Sequence, residues 1–164
     1  MTKKRLALIL ATAAVMTIGG YFAVRNLTSS AQADDLQSAI DARRALMKQM
    51  MAQMKAIYGV VDAKSGDLND MAQRAQVVQA DAAKIPTLFP LGTSISDMPD
   101  KTHAKPEIWQ NIGGFKSAAA NLGSQAGKLV DAAKSGDMTA FASQFEVTGN
   151  ACGNCHTDFR TKLQ

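Results

Sequence analysis

Two cysteines, two histidines, one tryptophan and four prolines are all that this chain of 164 residues holds of those types, and aromatics make up only 5% of it. Each shortage excludes something. Two cysteines allow one disulfide at most, and at positions 152 and 155 it would close a loop too small to stabilise much. A structural zinc site wants four Cys or His ligands, so it would need every such side chain present, including His103 from a proline-flanked loop. No stretch alternates apolar and polar residues as a half-buried strand does, and β-branched runs are scarce. No basic run with interleaved aromatics appears, so nothing supports nucleic-acid binding. The abundant residues, Ala, Met, Gln, Lys and Asp, favour helix.

The two cysteines stand in Cys152-Gly153-Asn154-Cys155-His156. C-x-x-C-H is the pattern of covalent c-type haem attachment. Each thiol can add to one porphyrin vinyl group, and the histidine that follows reaches the iron as proximal ligand. A thioredoxin-like redox pair would need a βαβ context, which is missing here. One haem c is therefore the expected cofactor, held by Cys152 and Cys155, with His156 on the metal.

Residues 1–33 have the form of a targeting segment. Lys3, Lys4 and Arg5 make a positive start, Leu6 to Val24 is an uncharged and mostly apolar run of 19 residues, and Ala31-Gln32-Ala33 fits a small-residue cleavage site. A run of that length also approaches what a bilayer span needs. A cleaved signal peptide is expected, with a retained N-terminal membrane anchor as the alternative; both put the body of the protein in the periplasm, where covalent haem attachment in bacteria takes place. The leader also accounts for the charge. The chain has 18 basic and 14 acidic residues, a net +4; without Lys3, Lys4, Arg5 and Arg25 it has 14 of each.

Residues 34–164 form one domain by length. Apolar residues recur at three- and four-residue steps over about 35–61, 67–84, 106–134 and 137–162, which predicts four helices. Ala63-Lys64-Ser65-Gly66-Asp67-Leu68 recurs almost unchanged as Ala133-Lys134-Ser135-Gly136-Asp137-Met138. In each copy the glycine can end one helix in the left-handed conformation and the aspartate can cap the next. Residues 85–105 hold three of the four prolines and read as a long crossover loop. The expected fold is all-α, an antiparallel four-helix bundle with a long crossover between helices 2 and 3. Cys152, Cys155 and His156 then lie on one side of the last helix, toward the bundle interior.

Cys152-Gly-Asn-Cys155-His156-Thr-Asp-Phe159-Arg160 resembles the ending of class II c-type cytochromes, the family of cytochrome c′ and its low-spin relatives. Pro106-Glu-Ile-Trp109 with Phe115 is similar to the start of that family's third helix, Leu88-Phe89-Pro90 to its crossover, and Arg43 followed by Met47 to the first-helix residues above the distal haem face. The resemblance spans nearly all of 35–164. It implies a periplasmic, often dimeric, monohaem bundle. It also implies that Met47 is either a distal iron ligand, which suits an electron carrier, or an apolar cover over a five-coordinate high-spin iron that binds NO or CO. Met50, Met51 and Met54 are expected to fill the core, and Arg43 or Arg44 to meet a haem propionate or to be a solvated charge on the helix face. Trp109 and Tyr58 read as core or rim aromatics, Phe159 as proximal packing, and His103 as a solvent-facing loop residue. Arg160 is expected near the proximal imidazole or on the surface. No distal His–Arg pair marks a peroxidase, so the expected role is electron carriage between periplasmic redox partner proteins rather than enzymatic catalysis.

Overall fold

The computed structural model describes residues 15–162. The charged start of the leader lies outside the described residues. The chain falls into two units, Met1–Leu36 and Gln37–Gln164. In the first, the residues from Val15 onward belong to helix α1, which is bounded by Val15 and Ala63. No helix among the described residues is long and apolar enough to cross a membrane.

The second unit carries the bundle. Four long helices build it: α1 up to Ala63, α2 (Leu68–Ala82), α4 (Ile112–Lys134) and α5 (Met138–Phe159), with a single turn, α3 (Glu107–Gln110), ahead of α4. The helices close into a ring. Arg74 of α2 donates to Gln53 of α1 at 3.2 Å, Tyr58 of α1 meets Phe145 of α5 at 6.2 Å between ring centroids, and α4 packs against both α2 and α5.

Both hairpin turns are capped as the repeat predicts. The Asp67 carboxylate accepts from the amides of Asn69 and Asp70, and that of Asp137 from Thr139 and Ala140, which satisfies amides a helix start leaves without partners. The endings differ. Gly136 takes the left-handed conformation (φ 77°) after α4, as expected, but after α1 that role falls to Lys64 (φ 51°). The Ser65 amide reaches the Val60 carbonyl and the Lys64 amide reaches that of Val61, a Schellman pattern. Gly66 instead adopts φ 148°, where an added Cβ would lie 2.7 Å from Val60.

Three helix boundaries depart from the periodicity, the first being the start of α1 at Val15 rather than about residue 35. The third predicted helix is broken at Asn111 (φ −130°, ψ 57°), whose side chain accepts from the Gly114 amide and so starts α4 afresh. Gly113 and Gly114 follow directly, and glycine resists helix continuation. The fourth ends at Phe159 rather than Lys162. Arg160 is extended and pairs with Ala104, with the Lys105 amide on the Phe159 carbonyl and the Thr161 amide on the His103 carbonyl. The end of the crossover is thus tied to the end of α5.

The core has two clusters. Ile57, Met71, Ala75, Leu129, Val130 and Phe141 pack at the hairpin-turn end. At the opposite end Leu46, Met50, Val78, Ala82, Ile85, Ile108, Phe115, Leu122 and Phe159 pack together, with Met47, Phe89, Trp109, Cys152 and Cys155 half-buried against them. Two residues of the predicted first-helix stripe turn outward: Met51 is 67% exposed and Tyr58 is 53% exposed.

Candidate haem site

The attachment motif lies in the last two turns of α5. Positions i, i+3 and i+4 share a helix face, so Cys152, Cys155 and His156 are presented together. Both thiols are free and half-buried. Burial pushes the Cys152 thiol above its ordinary range, and burial, with the charges of Cys152 and Asp158 adding to it, pushes Cys155 up to about 11. Both are therefore neutral thiols at neutral pH, able to add S–H across a vinyl double bond with the carbon–sulfur bond formed and the proton retained on the second carbon. The His156 imidazole is held below its usual range by burial and then by Arg160. Neutral imidazole is the form that ligates a metal.

Across the same cluster stands α1. Leu46 and Met50 are buried and Met47 is half-buried, all packed in the cluster that includes both cysteines. One turn before Met47, Arg43 is 5% exposed. Its guanidinium donates through Nη1 to Thr93 Oγ1 at 2.8 Å and through Nη2 to the Thr93 carbonyl at 2.8 Å and to Thr102 Oγ1 at 2.5 Å. It also lies 4.5 Å from the Phe89 ring centroid. Every partner is a neutral oxygen or a ring. Burial, with Arg44 adding to it, lowers the Arg43 pKa to about 10. Arg44 itself is exposed and holds the Lys101 carbonyl at 2.6 Å.

The crossover is joined to α5 by stacked rings. Phe89 meets Phe115 edge-on at 4.8 Å, and Phe115 meets Phe159 edge-on at 5.3 Å. Trp109 packs 6.4 Å from Phe89 and donates its indole N–H to the Phe89 carbonyl at 3.1 Å. Edge-to-face pairs add about 0.5–1.5 kcal/mol beyond area burial. This ladder ends three residues after His156, so the proximal helix end and the crossover form one packed block. His103 is exposed and contacts Thr161 at 3.2 Å, in keeping with a loop residue.

The residues fit a covalently held haem. Two neutral thiols and an imidazole face one apolar cluster, a thioether stands on the helix opposite, and a buried cation lacks an anion. Thr93, Thr102 and Asp81 of this region carry no sequence signal that the motif supplies. The threonines are 50 and 59 residues from Arg43, whereas Asp81, buried on α2, interrupts an apolar stripe and is legible as an anomaly.

The fold and this donor set define a four-helix-bundle cytochrome of the c type, carrying a single haem. A family model described as cytochrome c′ matches residues 38–160. The chain belongs to the cytochrome c′ family. It is 29% identical to a cytochrome c′ of Rhodospirillum rubrum over 96% of this chain and 98% of that one. It is 30% identical to a cytochrome c-556 of Agrobacterium tumefaciens over 75% of this chain and 97% of the relative. The crystal structure of cytochrome c′ from Thermochromatium tepidum superposes with a TM-score of 0.70 at 30% identity, covering 77% of this chain and 97% of that one. The cofactor is accordingly a covalently attached haem c.

Proposed function

We propose that this protein is a periplasmic electron carrier in which Cys152 and Cys155 hold the haem by thioether bonds and His156 is the proximal iron ligand. Met47 is the distal ligand, and Arg43 supplies the cation for a haem propionate. The observation that carries the reading is the single apolar cluster that holds Met47 from α1 together with both cysteines from α5. The haem supplies one-electron iron chemistry; the chain orients it and shields it. Held by an imidazole and a thioether, a haem iron would have a raised reduction potential, which suits an electron carrier. The Arg43 environment supports the propionate contact, because a buried cation without an anion is costly and a carboxylate would offset that cost. The role is electron exchange with periplasmic redox proteins rather than enzymatic catalysis, and export depends on the leader of residues 1–33.

The second reading keeps the haem and releases Met47 from the iron, leaving a five-coordinate site for NO or CO. It is favoured by the packing of Met47 among apolar side chains, which can hold the sulfur off the metal. A solved cytochrome c′ has a dimer whose dissociation is ligand-controlled, so a homodimer responsive to such a ligand belongs to this reading. One absorption spectrum separates the two. Met47→Ala is expected to convert a low-spin spectrum to a high-spin one that binds CO readily. A wild-type protein already high-spin would refute the carrier reading, and a Met47→Ala protein that stays low-spin would move the ligand elsewhere.

A further inference from the structure

Asp81 lies on the buried side of α2, 1% exposed, between Val78 and Ala82 of the core. Its Oδ1 accepts from Lys84 Nζ at 2.8 Å, while its Oδ2 is buried with no hydrogen-bond partner. The lysine side chain is itself 60% exposed, so water screens the charge paired with this carboxylate. A buried carboxylate oxygen with no donor is costly. The group caps no helix and joins no network that would offset this.

Its location follows from helix arithmetic. Arg74 bonds Gln53 across the α1–α2 contact. These helices run antiparallel, and seven residues is close to two full turns. Seven residues on from Arg74 is Asp81, and seven residues back from Gln53 is Leu46. Asp81 therefore lies on α2 at about the level of the α1 turn that begins at Leu46. Its neighbours Val78, Ala82 and Ile85 belong to the same cluster as Leu46, Met47, Met50 and the two attachment cysteines.

We infer that Asp81 is an electrostatic tuning residue: a fixed negative charge set at the haem end of the bundle, which favours the oxidised iron and lowers the reduction potential, with Lys84 attenuating it. The inference rests on the haem reading above. In a poorly screened interior a single charge acts over many ångströms. Oxidised iron carries one more positive charge than reduced iron, so the nearby anion stabilises the oxidised state.

The test is spectroelectrochemical titration of the haem-bearing full chain with Asp81→Asn, Lys84→Gln and the double variant. Asp81→Asn keeps the side-chain shape and should raise the reduced-to-oxidised ratio at a fixed applied potential by about threefold or more. Lys84→Gln alone should lower that ratio by less than Asp81→Asn raises it, because water screens the exposed lysine, and the double variant should fall between the two. A purely structural Asp81 would move the unfolding midpoint and leave the ratio unchanged. An unchanged or lowered ratio in Asp81→Asn overturns the inference. Should Asp81→Asn not fold, Asp81→Ser, smaller and neutral, is titrated in its place: a raised ratio supports the inference, and an unchanged or lowered one overturns it. Failure of the underlying reading is seen separately, as a wild-type chain with no haem retained after denaturation.

Discussion

Thr102→Val tests the clamp that fixes the first helix to the crossover. Thr102 is buried, and its Oγ1 accepts two bonds: one from Arg43 Nη2 at 2.5 Å and one from the Ala104 amide at 3.1 Å. Valine has nearly the same shape and no acceptor, so the perturbation is chemical rather than steric. A hydrogen bond to a charged group contributes about 1.5–3 kcal/mol, and a buried amide left without a partner costs about 1–3 kcal/mol. Arg43 retains Thr93 Oγ1 and the Thr93 carbonyl, which limits the loss. The expected destabilisation is about 2–4 kcal/mol, or a fall in Tm of roughly 6–15 °C for a domain of this size. Urea unfolding of the haem-bearing protein would measure it, with Thr102→Ser as the control that keeps the oxygen. Thr102→Val within about 0.5 kcal/mol of wild type would refute the reasoning, as would a Ser variant destabilised as much as the Val variant.

Phe115→Ala removes the central ring of the ladder from Phe89 to Phe159; a loss of about 3–5 kcal/mol is expected in urea unfolding, and a cost below about 1 kcal/mol would mean that the ladder does not hold crossover and α5 together. The crossover also contains an acid-labile turn. Asp97 accepts from the Ser94 hydroxyl at 2.6 Å and from its amide at 3.0 Å, which lowers its pKa below the usual 3.8. A depressed carboxylate contributes stability above its unfolded pKa that is lost as pH falls through the folded one. Ser94→Ala should therefore reduce stability at neutral pH and flatten its decline below about pH 3.8; parallel acid-unfolding curves for the two proteins would contradict this.

Four helices are legible because burial imposes the 3.6-residue period on whichever face meets the core, and Ile40, Met50, Ile57, Phe115, Leu122, Leu129 and Phe141 obey it. Periodicity cannot say how wide the buried stripe is. Met51 and Tyr58 fit the α1 pattern but lie at the edge of the buried face: Met51 faces water, and Tyr58 is half-exposed even as its ring meets Phe145 of α5. Nor does it locate breaks where one helical stretch follows another in register. Asn111 interrupts the third helix because its carboxamide competes for the Gly114 amide, a local contest that leaves the apolar spacing on either side intact. The two copies of the hairpin turn show the same limit at finer grain. With near-identical residues, α1 stops one position earlier than α4, and the left-handed residue shifts from glycine to lysine.

The site divides along the same line. Cys152, Cys155 and His156 are legible because one helix presents all three, so local spacing alone sets their geometry. Arg43 is different. A charge on a helix is indistinguishable in sequence from a solvated one, and what makes it a site residue is supplied from far along the chain by Thr93, Thr102 and Phe89. The consequence is a cation buried without a carboxylate on α1 and, on α2, a buried carboxylate with one oxygen that lacks a donor. An apolar bundle gains nothing from either charge on its own. A haem, whose propionates are anionic and whose oxidised iron is cationic, would give each of them a counter-charge.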